Sequence, residues 1–197
     1  DHERINLNLI FEAVMDPWVS SREGSDGISR PYHLDQVGRV TGDLILHGES
    51  MKVDCLAIRD RTWAPRSERW KIGGGYGYTN AAADSGEAFL AVDSGSMHGY
   101  LTLDHKTLAL TEGTRTVERD LVTGAPQRVT INATDAEGRE LHAVGRSISK
   151  MAMPIPGVHA VVWTSLMSWT INDVSSWGED QEPWPIAEWS RKRRSAR

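Results

Sequence analysis

An all-β fold, either an antiparallel barrel or a β-sandwich of about ten strands with a short C-terminal helix, is what this sequence predicts. Three observations carry that expectation. Apolar and polar residues alternate with a period of two along most of the chain, and no sustained helical period occurs before the C-terminus. Turn-forming clusters such as Asp84-Ser85-Gly86, Ser94-Gly95, Thr123-Gly124-Ala125-Pro126 and Asp135-Ala136-Glu137-Gly138 separate the alternating runs. The length of 197 residues suits a single β domain with one sizeable core.

Taken in order, the first strand is expected over residues 5–14. Residues 16–33, with Ser20-Ser21, Gly24, Gly27 and Pro31, read as a long polar connection, either a lid or a disordered loop. From 39 to 47, Val40, Gly42, Leu44 and Leu46 share one face while Arg39, Thr41, Asp43 and His47 share the other. Gly48-Glu49 supplies a turn into a strand over 51–58, giving a hairpin. Further strands are expected over 69–79, 87–92, 97–103, 106–119, 128–134, 139–149 and 158–171. The stretch 177–184 reads as irregular, and Pro185 is placed to open a short helix through Trp189. A meander of this kind must close or stack to remove its edges.

Composition excludes several classes of function. Net charge is −5, which argues against general affinity for nucleic acid or anionic membranes. The one basic run, Arg191-Lys192-Arg193-Arg194, reads as a solvated tail. No apolar run approaches the ~20 residues that span a bilayer. Cys55 is the single cysteine, so neither an internal disulfide nor a multi-cysteine metal site is available, and a cytoplasmic location is expected. Eight Trp against two Phe suits either a partly polar pocket wall or a large β core.

The densest cluster of chemically capable residues is Arg59-Asp60-Arg61-Thr62-Trp63-Ala64-Pro65-Arg66. On a strand, Arg59, Arg61 and Trp63 point one way and Asp60 and Thr62 the other. A carboxylate flanked by arginines is normally held ionised, so Asp60 needs an apolar pocket to act as an acid. An Arg–Asp network fastening a strand end is the structural alternative. In Gly73-Gly74-Gly75-Tyr76-Gly77-Tyr78, no Lys-Ser/Thr follows to make a phosphate loop; the glycines suit a bend or the close approach of a ring. Tyr76 and Tyr78 are candidates to orient a ligand. The seven histidines have no metal-ligand spacing, so no metal or other cofactor is expected, and any metal site would have to be assembled by the fold.

The segments Val40-Thr41-Gly42-Asp43-Leu44 and Arg59 to Arg66 resemble a pattern in a bacterial family of tandem lipocalin-like β barrels, similar in fold to AttH-like proteins and carotenoid 1,2-hydratases. His33-Leu34-Asp35-Gln36 and Trp177-Gly178-Glu179 resemble two further segments of that family. The resemblance implies a lipocalin-like barrel, with this chain as the C-terminal half of a two-barrel protein or a short relative. It departs from the family pattern at Arg61, Thr62 and Ala64, where His, Ser and Gly are common. Asp60, Trp63 and Arg66 match.

The resulting expectation is a cofactor-independent acid–base enzyme (hydratase, lyase, isomerase or cyclase) acting on a hydrophobic small molecule such as a terpenoid or polyketide-like compound. Asp60, Arg61 and Arg66 are the catalytic candidates; Arg59, Trp63, Tyr76 and Tyr78 are the ligand-binding ones. The alternatives are a non-catalytic carrier of a lipid-like ligand, and a structural half fastened to an N-terminal barrel or a second copy.

Overall fold

The computed structural model describes residues 4–23, 29–63, 75–155 and 159–195. Its contacts divide the chain into two compact units, Asp1–Arg66 and Ser67–Arg197. Twelve strands and one helix lie among the described residues, all strand pairs are antiparallel, and the all-β class with a barrel and a C-terminal helix stands.

The first unit is a four-stranded sheet built on one long strand. β3 (Ser29–Leu46) pairs from His33 to Leu46 with β4 (Glu49–Thr62). Its other side pairs with β1 (Ile5–Ala13) over Gly38–Leu46 and with β2 (Trp18–Glu23) over Ser29–Asp35. His47 and Gly48, at φ 51° and 87°, form the two-residue connection between β3 and β4, one position earlier than Gly48-Glu49. Gly42 has φ 142°, and a Cβ there would meet the Asn8 carbonyl oxygen, so only glycine lets β1 pair at this point. Residues 16–33, expected as a connection, instead hold β2 and the start of β3; main-chain pairing overrides the Ser- and Gly-rich composition, while 24–28 lie outside the described residues. Alternation puts Ile5, Leu7 and Leu9 beside Leu44, Leu46, Met51 and Val53 on one face. That face is strongly apolar yet solvent-facing along β1, where Ile5 and Leu7 are 55% and 59% exposed.

The second unit is a closed eight-stranded barrel. Its strands are β5 (Gly77–Ala82), β6 (Ala88–Asp93), β7 (Met97–Leu103), β8 (Lys106–Arg119), β9 (Pro126–Asp135), β10 (Glu140–Ile155), β11 (Ala160–Ile171) and β12 (Val174–Pro185). Neighbours in sequence pair with each other, and β12 closes the ring on β5 through Trp177–Gln181 and Tyr78–Ala82. Phe89, Leu101, Ile131, Leu141, Met167, Trp169 and Ile171 form the packed core, with the Phe89 and Trp169 rings edge to face at 5.4 Å. Trp169, Met97 and Met167 therefore fill the barrel interior.

The stretch 177–184, expected as irregular, belongs to strand β12. Pro183 and Pro185 disguise it because proline donates no ladder hydrogen bond. Both lie beyond the part of β12 that pairs with β5, so among the described residues no partner strand on that side requires their N–H. Pro185 does precede a helix, α1 (Ile186–Ser195), which runs past Trp189 and takes in the basic run. Trp189 is buried, and its ring excludes any side chain at Gly124. Among the described residues no helix is long and apolar enough to cross a membrane.

A carboxylate clasp fastens the turn between β9 and β10. Asp135 Oδ1 accepts the N–H groups of Glu137 (2.9 Å) and Arg139 (3.0 Å), and Arg139 Nε donates to Oδ2 at 2.6 Å. The Arg139 guanidinium also reaches the carbonyls of Leu103 and Lys106, tying this turn to the β7–β8 hairpin. Burial pushes the Asp135 carboxyl up, but these hydrogen bonds and the Arg139 charge outweigh it and hold the carboxyl below its usual range. A depressed carboxylate pKa contributes stability that is present above the unfolded value, about 3.9, and is lost as pH falls through the folded value. Asp135→Asn is expected to cost about 2 kcal/mol at neutral pH. In thermal unfolding followed from pH 7 to pH 3, the gap to wild type should narrow; a gap independent of pH would contradict the clasp's charge.

Candidate active site

In the sheet unit, pairing of β3 with β4 sets His33 opposite Thr62, Leu34 opposite Arg61, Asp35 opposite Asp60 and Gln36 opposite Arg59. Alternation then sorts the residues onto two faces. Asp60 and Thr62 share one with His33 and Asp35, while Arg59, Arg61 and Trp63 belong to the other. Arg59 donates to Gln36 Oε1 at 2.7 Å and lies over the Phe11 ring; Arg61 lies 5.2 Å from the centre of the Trp63 ring. Arg66 lies outside the described residues.

The first face carries a linked set of proton-handling groups. His33 Nε2 is 2.9 Å from Oδ2 of Asp35, whose carboxylate is almost fully buried. The other ring nitrogen, Nδ1, is 2.9 Å from Thr62 Oγ1 and 3.6 Å from Asp60 Oδ1. That Nε2–Oδ2 approach is an ion-pair contact; with its proton on Nε2, the neutral ring is left with Nδ1 as an acceptor facing the hydroxyl. A proton taken up at Nδ1 places the imidazolium between two carboxylates, which stabilise it. Asp60 is about half exposed, so this end of the set is open to a ligand. His33, Asp35 and Asp60 also bring one potential ligand atom each within 4.8 Å of one another, a grouping that could hold a metal ion and that no sequence spacing announces. Chemically the arrangement offers a buried anchor, a histidine and two accessible oxygen groups, the elements of a proton relay.

The barrel unit holds a separate constellation that the sequence reading did not single out. Arg115 Nη2 donates to both oxygens of Asp180 (2.7 and 2.9 Å) and lies 2.8 Å from Glu182 Oε1. Arg119 meets Glu182 with two nitrogens, each at 2.7 Å. Thr79 Oγ1 donates to Asp180 at 2.6 Å, and Trp184 Nε1 to Glu182 Oε2 at 3.3 Å. Burial pushes the Asp180 carboxyl up, and the Glu182 charge adds to that push. Burial also raises Glu182, but the Arg119 hydrogen bond and the Arg115 and Arg119 charges more than offset it, leaving the carboxyl low. Above this network opens a cleft of about 460 Å³ bordered by Tyr76, Arg119, Trp184 and Lys192. Gly75 and Gly77 are needed here, because a Cβ would strike the Trp184 ring at the first and the Arg115 guanidinium at the second. Tyr76 thus borders the cleft, whereas Tyr78, adjacent to inward-facing Gly77 and Thr79, takes the outward position on β5.

Comparison with known proteins places these features in context. A family described as a domain of unknown function (DUF7064) matches residues 1–190. A crystal structure of a protein from Nitrosomonas europaea, presented as a candidate AttH, superposes with a TM-score of 0.66 at 17% sequence identity. The match covers 94% of this chain and 63% of that one, so the chain spans less than two thirds of its structural neighbour, and the likeness bears on fold alone. No curated protein matches.

Proposed function

From the premise that the chain belongs to the DUF7064 family, a domain of unknown function, we propose that it is a cofactor-independent acid–base enzyme of the hydratase, lyase, isomerase or cyclase type, acting on a hydrophobic small molecule. The observation that carries this reading is the chain of contacts from buried Asp35 through His33 to Thr62 and Asp60. In an isomerisation, Asp60 or the His33 ring removes a proton from one substrate carbon, and the electron pair shifts along the π system. A proton then returns to a second carbon, leaving composition unchanged. Asp35 is a positioning residue that fixes the tautomer of His33 and supports its charged form. Arg61 replaces a histidine of the resembled pattern, and in this reading His33, from the neighbouring strand, carries the proton instead.

The test is solvent isotope exchange. Purified protein in D2O is incubated with a panel of unsaturated terpenoid and polyketide-like compounds, and deuterium incorporation is followed by mass spectrometry. Incorporation that requires His33 and Asp60 supports the reading. Binding of panel compounds without exchange or product would favour the carrier alternative.

A specific observation also favours a covering partner for the sheet unit. Its apolar face is exposed along β1, and the structural neighbour's chain extends well beyond the matched part. The occupant proposed is a further barrel segment of the same protein type, which would remove this large apolar surface from water. The 197-residue chain is then expected to self-associate when expressed alone, while a longer protein containing such a segment stays monomeric in light scattering. A monomeric chain with no affinity for apolar dyes would contradict the proposal.

A further inference from the structure

The cleft of the barrel unit has the makings of a binding site distinct in chemistry from the proton relay. Its lining carries three cationic side chains, Arg115, Arg119 and Lys192, against two carboxylates, Asp93 and Glu182. Glu182 is fully committed, since both its oxygens are engaged by Arg119, Arg115 and the Trp184 indole. Arg115 is likewise held inside by Asp180. The cations nearer to solvent are Arg119, with 17% of its side chain exposed, and Lys192 on α1.

Aromatic surface surrounds these cations. The Lys192 ammonium lies 4.3 Å from the centre of the Trp184 ring, and Arg119 lies over both Trp184 and Trp189 at 5.9 and 5.6 Å. Trp189 packs in turn on Trp163, whose buried Nε1–H meets no acceptor among the described residues. Val117 and Leu121 add apolar lining, and the cleft volume of about 460 Å³ falls within the range usual for small organic ligands.

We propose that this cleft binds an organic acid, its carboxylate received by Lys192 and Arg119 and its apolar or aromatic body lying against Trp184, Val117 and Leu121. A charge-assisted contact to clustered cations at a partly desolvated mouth gives the carboxylate its advantage over an uncharged group. Burial and then the positive field of Arg119 hold the Lys192 ammonium below the ordinary lysine range. An incoming anion relieves that crowding of like charge. The inference concerns binding in the barrel unit alone and is independent of the acid–base reading.

The experiment uses the full chain and two probes of one shape, hydrocinnamate and hydrocinnamyl alcohol, titrated by calorimetry and by quenching of tryptophan fluorescence. Hydrocinnamate is expected to bind at least about tenfold more tightly than the alcohol. Lys192→Gln should weaken the acid about five- to tenfold with little effect on the alcohol, and Lys192→Glu should abolish acid binding. Lys192 is on the exposed side of α1, so both variants should keep the wild-type circular dichroism spectrum. Equal binding of acid and alcohol, no saturable acid binding at all, or undiminished acid binding by folded Lys192→Glu would each overturn the proposal.

Discussion

Glu182→Leu is expected to destabilise the barrel by about 3–5 kcal/mol, the largest stability effect of any single substitution considered. The carboxylate is 1% exposed and is shared by two guanidiniums and an indole N–H. Among the described residues, removing it leaves Arg119 with the carbonyl of Gly124 and Arg115 with Asp180 and the Thr79 hydroxyl. An unbalanced cation in a water-poor interior costs far more than the loss of one hydrogen bond. Thermal unfolding should shift downward by about ten degrees or more. The double variant Glu182→Leu with Arg119→Met should recover a substantial part of the loss, because an apolar pair of similar volume leaves fewer uncompensated charges. A single-variant cost below about 1 kcal/mol would mean that solvent screens the network and that it contributes little to the fold.

The second large effect is catalytic. His33→Gln and Asp60→Asn are each expected to lower the isotope-exchange rate by about 10²–10⁴-fold. Neither should move the unfolding midpoint by much, since Asp60 is half exposed and His33 keeps a polar replacement beside Asp35 and Thr62. Asp35→Asn should lower the rate as well, through loss of the tautomer in which Nδ1 accepts, and should also cost stability because its carboxylate is buried. Wild-type exchange in folded His33→Gln and Asp60→Asn would sink the relay.

How much of this could be read beforehand depends on whether the signal was local. β7 and β8 were expected at 97–103 and 106–119 and occupy those residues end to end, because alternation and a short turn between them are local properties. β12 escaped because Pro183 and Pro185 lower strand propensity, while their tolerance comes from the absence of a β5 partner at that position. The two faces of the Arg59–Trp63 block followed from strand alternation. The groups that join Asp60 did not: His33 lies 29 residues before Thr62 and becomes its neighbour only through the β3–β4 register. The Arg115–Glu182 network was further out of reach, since its members stand on β8 and β12, which do not pair with each other. Single charges inside alternating strands look like solvent-facing positions until the ring closes and reveals which side is inside.

Closure of that ring on β5 by β12 has a kinetic consequence. Thr79 and Asp180, bonded across the seam, are 101 residues apart in the chain, and a contact of that span is among the slowest to form from an unfolded state. Until it forms, β5 and β12 each present an open hydrogen-bonding edge, so the partly folded barrel is the species most exposed to strand exchange with its neighbours. The Asp180 carboxylate, costly to bury, lies at this seam and finds Arg115 and Thr79 together only once the ends have met. Closure of the seam therefore both seals the edges and neutralises the charge, which makes the seam a latch whose failure would be seen as slow refolding and concentration-dependent aggregation.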